Sequence, residues 1–190
     1  MTIEENFNSL PRRLFLDSCT VQTIGQYGTY IWEGEPLSAT DSMCRVEGGP
    51  ANLAALRDIF LVNERALFEW ILSEASLAEA EAKHDSRHLR WVHDVMDHTR
   101  VCLEESGGPS DESTVLASRL NEPCFGYLSD QDRCLIRDAL HLRCDAFLTM
   151  EQRLTRNQTQ VAHMVREVGL RILRPVDLWE RLRPWAGLRR

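Results

Sequence analysis

Lysine is almost missing from this chain: arginine supplies 21 of the 22 basic residues, and Lys83 is the single lysine. No GxxxxGK[ST] run exists, which excludes a P-loop NTPase. No apolar stretch approaches the ~18 residues that a membrane helix needs, so no membrane partner is expected. The start, Met1-Thr-Ile-Glu-Glu-Asn, is acidic and carries no apolar signal core, so a cytoplasmic protein is expected. The six cysteines, at 19, 44, 102, 124, 134 and 144, form no CxxC pair. That spacing argues against a zinc ribbon or a dithiol redox motif and for reduced, partly buried thiols. Internal repeats and low-complexity tracts are also missing.

What remains is an ordinary globular balance: 43% hydrophobic and 27% charged over 190 residues, enough for one domain spanning 1–190. The net charge of −7 is unevenly spread. Residues 133–190 carry twelve arginines against six acids, a net of +6, and residues 1–132 a net of −13. Such asymmetry fits either a polyanion-binding face on an acidic body or a set of solvated helix faces.

Two breakers, Glu47-Gly-Gly-Pro50 and Ser106-Gly-Gly-Pro-Ser110, punctuate the chain. Arg13-Leu-Phe-Leu-Asp17 reads as a buried strand ended by an acid, and Leu67–Leu72 as a second. Asp145-Ala-Phe-Leu-Thr149 is a third, and Leu170–Leu173 a fourth. Helical spacing marks 51–62, a long polar helix or helix pair over 76–105, and a helix near 111–121 capped by Ser110. Another follows Ser129, and a last one covers 157–168 with Gly169 as its stop. Strands alternating with helices predict a three-layer α/β/α fold around a parallel sheet of four to five strands.

Acids stand where strands end. Asp17 follows the first strand directly, and Glu151 lies two residues past the third. Asp132 falls in the first turn of the helix before the third strand, and Glu79 about two turns into the helix after the second. Ligands of open parallel sheets bind beyond the carboxyl ends of strands. Four ionised acids gathered there, at ~4 Å and an effective dielectric of ~20, would repel by about 4 kcal/mol per pair. Such a site raises its pKa values or binds a cation, and oxygen ligands without companion Cys or His suit Mg²⁺ or Mn²⁺. Each acid also has a plainer role: Asp17 as a helix cap, Glu79 paired with Lys83, Asp132 in a capping box with Ser129, Glu151 as a loop acid.

Leu14-Phe-Leu-Asp17-Ser-Cys-Thr-Val-Gln22 resembles the opening of PIN-domain ribonucleases, where a strand ends in the first metal-binding Asp. Leu72-Ser-Glu-Ala-Ser-Leu-Ala-Glu79 is similar to the segment carrying the second acid, with Glu79 as the match and Glu74 as the fallback. Asp132-Arg-Cys-Leu-Ile-Arg-Asp-Ala139 resembles the third motif, and Cys144-Asp-Ala-Phe-Leu-Thr-Met-Glu151 the strand that ends Leu-Thr-x-Asp. The resemblance covers roughly 12–24, 67–82 and 125–180. It leaves about 25–66 and 83–124 as helical insertions in a single PIN-like domain. Glu151 stands where the family has Asp, and Cys19 where Asn is often found.

The resemblance implies a metal-dependent nuclease, a single-strand-preferring endoribonuclease that leaves a 5′-phosphate and a 3′-hydroxyl. Asp17, Asp132 and Glu151 would hold Mg²⁺ or Mn²⁺, and Glu79 would hold a metal or orient the water. Thr149 would donate a hydrogen bond to a carboxylate or to the phosphate. Arg153 and Arg156, with Arg166, Arg171 and Arg174, are candidates to guide RNA past the acids. A protein inhibitor or antitoxin, and a homodimer, are further partners the family allows.

Two other readings stand beside this one. A HAD-type phosphatase begins Asp-x-Asp-x-Thr/Val, close to Asp17-Ser-Cys-Thr-Val21, but Cys19 replaces its second Asp and Lys83 lies far from any strand exit. The other is a PIN-like module that binds RNA or protein without cutting, motivated by Glu151 and the acidic amino-terminal part. Four of the six histidines, His84, His88, His93 and His98, fall within fifteen residues. His84 and His88 have metal-ligand spacing, but a solvated helix explains the stretch better. Trp179 and Trp185 are read as pins for the carboxyl-terminal segment rather than base-stacking rings.

Overall fold

The computed structural model describes residues 9–66, 68–82 and 86–186. Among these, one all-parallel sheet of four strands runs in the order β2-β1-β3-β4. The strands are β1 (Arg13–Leu16), β2 (Glu69–Ile71), β3 (Ala146–Leu148) and β4 (Arg171–Leu173). Alternation of side chains splits each apolar run between two cores. Leu14, Leu16, Trp70, Ala146 and Leu148 face one side, while Phe15, Ile71, Phe147 and Ile172 face the other. Burial on both faces is why the strands read as continuous apolar runs rather than as alternating ones. The register sets Phe15 beside both Ile71 and Phe147, and the Phe15 and Phe147 rings stack with centroids 5.4 Å apart.

The described α-helices are, in chain order, α1 (Ser18–Gln26), α2 (Gly49–Ala66), α3 (Glu74–Glu81), α4 (Ser86–Ser106), α5 (Asp111–Arg119), α6 (Asp130–His141), α7 (Gln152–Thr155), α8 (Gln158–Val168) and α9 (Pro175–Ala186). The first core takes Val21 and Ile24 from α1, Leu53, Leu56 and Ile59 from α2, Val92 and Met96 from α4, and Leu178 and Leu182 from α9. The second takes Leu120, which follows α5, Ile136 and Ala139 from α6, and Met164 and Val168 from α8. The result is the predicted three-layer α/β/α arrangement.

The connection from β1 to β2 thus runs over one face, and that from β3 to β4 over the other. Because β2 and β3 lie on opposite sides of β1, the chain switches direction between β1 and β3. Their carboxyl ends flank the crevice where an open sheet binds ligands.

Local signals explain most boundaries. Ser110 and Ser129 cap α5 and α6 through their side chains, and Gly169, at φ 78°, ends α8. The helix expected over 76–105 is the pair α3 and α4. Within the stretches 25–66 and 83–124, the helices α2, α4 and α5 are built into the two helical layers.

The histidine-rich stretch departs from a solvated helix in one place. His84, like Lys83, lies outside the described residues. His88 is buried, not solvated: its ring packs so tightly on Gly25 that a Cβ there would approach it to 2.5 Å, and it stacks on Trp91. An amphipathic helix needs an inner face, and His88 is on it. His93 points instead to Glu81 at 3.4 Å, and His98 to Cys102 at 3.5 Å. Trp179 packs against the first core, and α9 lies along α2. Among the described residues, no helix is long and apolar enough to cross a membrane.

Candidate functional site

At the switch point an open cleft of about 280 Å³ is lined by Asp17, Glu79, Asp132 and Glu151, together with Ser18, Cys19, Gln22, Ser129, Gln131 and Arg153. All four predicted acids therefore reach one cavity. Glu74, the fallback for the second acid, points elsewhere: it pairs with Arg100 at 3.1 Å on the exposed side of α3.

Asp17 is the most enclosed of the four. The end of β1 delivers it to the N-cap of α1, where Oδ1 accepts the Thr20 N–H at 2.6 Å. Its Oδ2 accepts the Thr149 hydroxyl. The same Thr149 oxygen accepts the Glu151 N–H at 2.9 Å, and Thr20 Oγ1 donates to the Leu148 carbonyl at 3.1 Å. These bonds stitch the exits of β1 and β3 together. Of the two acceptors expected for Thr149, the carboxylate is the one present, because Thr149 is fully buried and presents no surface to a substrate. Burial pushes the Asp17 carboxyl up to about 6 against the hydrogen bonds from Thr149 and Thr20, and the charge of Glu151 adds to the rise.

Asp132 takes its expected place in a capping box and also lines the cleft. Ser129 and Asp132 form a reciprocal capping box at the start of α6, so the acid is fixed by helix geometry. Burial would raise this carboxyl, but bonds from Ser129 and Arg153 outweigh it and hold the group below the ordinary range. The Ser129 N–H, the Ser129 hydroxyl and the Arg153 guanidinium all end on Oδ2, at 2.7, 2.6 and 2.6 Å. Glu79 is gripped by two amides, Gln22 at 2.8 Å on Oε2 and Gln131 at 3.3 Å on Oε1. Neither glutamine has a role assigned from sequence, although Gln22 closes the first motif. Gln22 is legible only through its place on α1, one turn beyond Asp17.

Arg153, expected to guide RNA past the acids, is itself paired with them: it spans Asp132 and Glu151, at 2.6 and 2.8 Å, and also reaches the Tyr127 carbonyl at 3.2 Å. The reason is electrostatic: it is the one basic residue among those lining the cleft, and two acids face it. Arg166 and Arg174 are likewise paired, with Glu167 and Asp177, and Arg171 donates to the Ser9 carbonyl. Arg156 is exposed at the end of α7 and does not line the cleft.

The donors fit a hard cation in kind: all are oxygens, and the cleft is open to solvent. They are not drawn into a tight cluster, since no three of these acids bring carboxylate oxygens all within 4.8 Å of one another. The guanidinium standing between Asp132 and Glu151 accounts for part of that spread. No family model matches the chain, and neither the curated proteins nor the solved structures contain a significant match to it.

Proposed function

We propose that this protein is a metal-dependent nuclease, with single-stranded RNA as its preferred substrate. The observation that carries the reading is the convergence of Asp17, Glu79, Asp132 and Glu151 on one cleft at the sheet's switch point, from four separate elements. The PIN-like motifs that mark these positions supply the reaction class.

Asp17, Asp132 and Glu151 would hold Mg²⁺ or Mn²⁺, with Glu79 as a further ligand or a water-orienting group. Bound there, such ions neutralise a scissile phosphate and lower the pKa of water, which makes it a nucleophile at neutral pH. The chain's own residues prepare that chemistry. Thr149 and the Thr20 N–H fix both Asp17 oxygens. The capping box commits Asp132 Oδ2 and leaves Oδ1 without a protein hydrogen bond among the described residues. Gln22 and Gln131 hold Glu79 upright at the rim. Arg153 offsets acid repulsion in the absence of a cation and is the natural partner for a substrate phosphate once displaced.

One observation favours the other reading, a PIN-like module that binds without cutting. Arg153 already neutralises Asp132 and Glu151, so two of the four acids have a counter-ion built in. Mn²⁺-dependent cleavage of mixed-sequence single-stranded RNA tests the choice. Cleavage by the wild type that is lost in Asp17→Asn supports the nuclease. RNA retention without cleavage, across metals, supports the binding module.

A further inference from the structure

The opposite, amino-terminal edge of the sheet holds a second constellation. Glu69 opens β2, and His98 and Cys102 sit four residues apart on one face of α4. One ligand atom from each, a carboxylate oxygen, an imidazole nitrogen and the thiol sulfur, lies within 4.8 Å of the other two. Cys102 Sγ and His98 Nε2 are 3.5 Å apart. A tetrahedral zinc ion with Zn–S of about 2.3 Å and Zn–N of about 2.0 Å sets those two ligands roughly 3.5 Å apart.

We propose that Glu69, His98 and Cys102 form a three-ligand site for a thiophilic divalent cation of the Zn²⁺ class, with water in the fourth position. The site is independent of the acidic cleft and of the nuclease reading. Its mixed sulfur, nitrogen and oxygen donors select a borderline-soft ion, where the cleft's oxygens select a hard one. Its surroundings are those of a built ligand set. Arg13 Nε donates to Glu69 Oε2 at 2.6 Å, and Arg13 Nη1 donates to the Leu142 carbonyl at 3.1 Å. The carboxylate is thereby oriented from behind with Oε1 left to coordinate, as outer-shell partners orient metal ligands. Arg13 Nη2 also stands 3.9 Å from Cys102 Sγ. His98 is exposed, which gives the ion a path, while Cys102 forms the buried floor. The ion would tie the edge strand β2 to α4 at a point where side chains alone now join them.

Co²⁺ titration of the full chain, with excess Mg²⁺ to occupy the oxygen cleft, reads the site directly. The wild type should bind one equivalent with a thiolate-to-cobalt charge-transfer band and tetrahedral d–d bands, and Zn²⁺ should bleach both. His98→Ala keeps every thiol, and since His98 is exposed the fold is not at risk. It should weaken Co²⁺ binding at least tenfold, and Cys102→Ser should abolish the charge-transfer band. Zn²⁺ should raise the wild-type Tm by about 5 °C at hundredfold excess over Kd, with no rise in Cys102→Ser. A wild type without the charge-transfer band, or a band unchanged in His98→Ala, overturns the proposal. The second result would place the ion on the exposed cysteines.

Discussion

The two ends of the sheet use the same pairing, an arginine against carboxylates, to opposite effect. At the amino end Arg13 is part of β1 and is tied down by Glu69 and by the Leu142 carbonyl, while the backbone N–H groups of Arg12 and Arg13 both donate to Asp145 at 2.9 Å. At the carboxyl end Arg153 rises from the four-residue helix α7, its side chain 47% exposed, and bridges Asp132 and Glu151 across open space. The first arginine is fixed by the backbone that carries it. The second is held almost entirely by the acids it neutralises. Anchoring, rather than the ion pair itself, separates a structural arginine from a displaceable one.

The largest expected effect falls on the carboxyl end alone. Asp17→Asn should lower Mn²⁺-dependent RNA cleavage by at least about 10²-fold while the protein stays folded, because Asn caps helices as well as Asp does. Cleavage rates together with circular dichroism of wild type and variant check this. Full activity in the variant would return Asp17 to a purely structural role.

Next in size is a pH effect in the metal-free protein. The folded Asp17 carboxyl titrates at about 6, above its ordinary value of 3.8. The native state therefore holds a proton that the unfolded chain releases first. This contribution to stability is complete below about pH 4 and is lost as pH rises through about 6. The loss is on the order of 3 kcal/mol, and Asp132 and Asp177, whose carboxyls are held low, change in the opposite sense at lower pH. Urea midpoints of wild type minus Asp17→Asn, from pH 4 to 7.5, isolate the Asp17 share. A difference that does not vary with pH would contradict the buried-acid account.

The two arginines should then part ways. Arg153→Ala should tighten Mn²⁺ binding about tenfold, by removing a competing cation, and cost less than about 1 kcal/mol, because the buried Asp132 keeps both Ser129 bonds. Arg13→Ala should leave Mn²⁺ affinity unchanged and cost about 1.5 kcal/mol, since it frees a carbonyl and a carboxylate partly screened by solvent. Calorimetric Mn²⁺ titrations beside urea unfolding of both variants give the comparison. Equal stability losses would erase the distinction.

The smallest effect is expected at Glu151→Asp. The shorter side chain keeps a carboxylate within reach of the cleft, so cleavage should change by no more than about threefold. A collapse of activity, in side-by-side turnover with the wild type, would show that the longer side chain is itself the adapted ligand.

The chain announces its sheet through local patterns. Arg13–Leu16 and Ala146–Leu148 are short apolar runs because both faces are covered, and the acids that follow them are readable as strand exits. Asp17 and Asp132 were legible twice, as caps and as ligands, and the structure gives both their cap geometry and their place on the cleft. Other features depend on what the fold brings together. The end of α6 has no glycine: Arg143 takes φ 54° itself, which no sequence rule marks. The bridging posture of Arg153 follows from two acids, 21 and 2 residues away, meeting at one place. Glu69 and His98 are separated by 29 residues and meet only because α4 runs beside β2. The i,i+4 spacing of His98 and Cys102 stands in the sequence, but only the fold brings Glu69 beside them.

Beyond the end of β2, the Leu72 N–H donates to Thr99 Oγ1 at 3.2 Å, and Thr99 in turn donates to the Val95 carbonyl within α4. A helix side chain thus takes the bond that a further strand would otherwise claim. An exposed parallel edge is a template for another chain, and here the template is occupied where β2 gives way to α3. Two copies of this protein would therefore meet through side-chain surfaces rather than by extending one sheet across that edge. For the same reason, a fibril seeded there would first have to peel α4 from the edge and break the Thr99 bond.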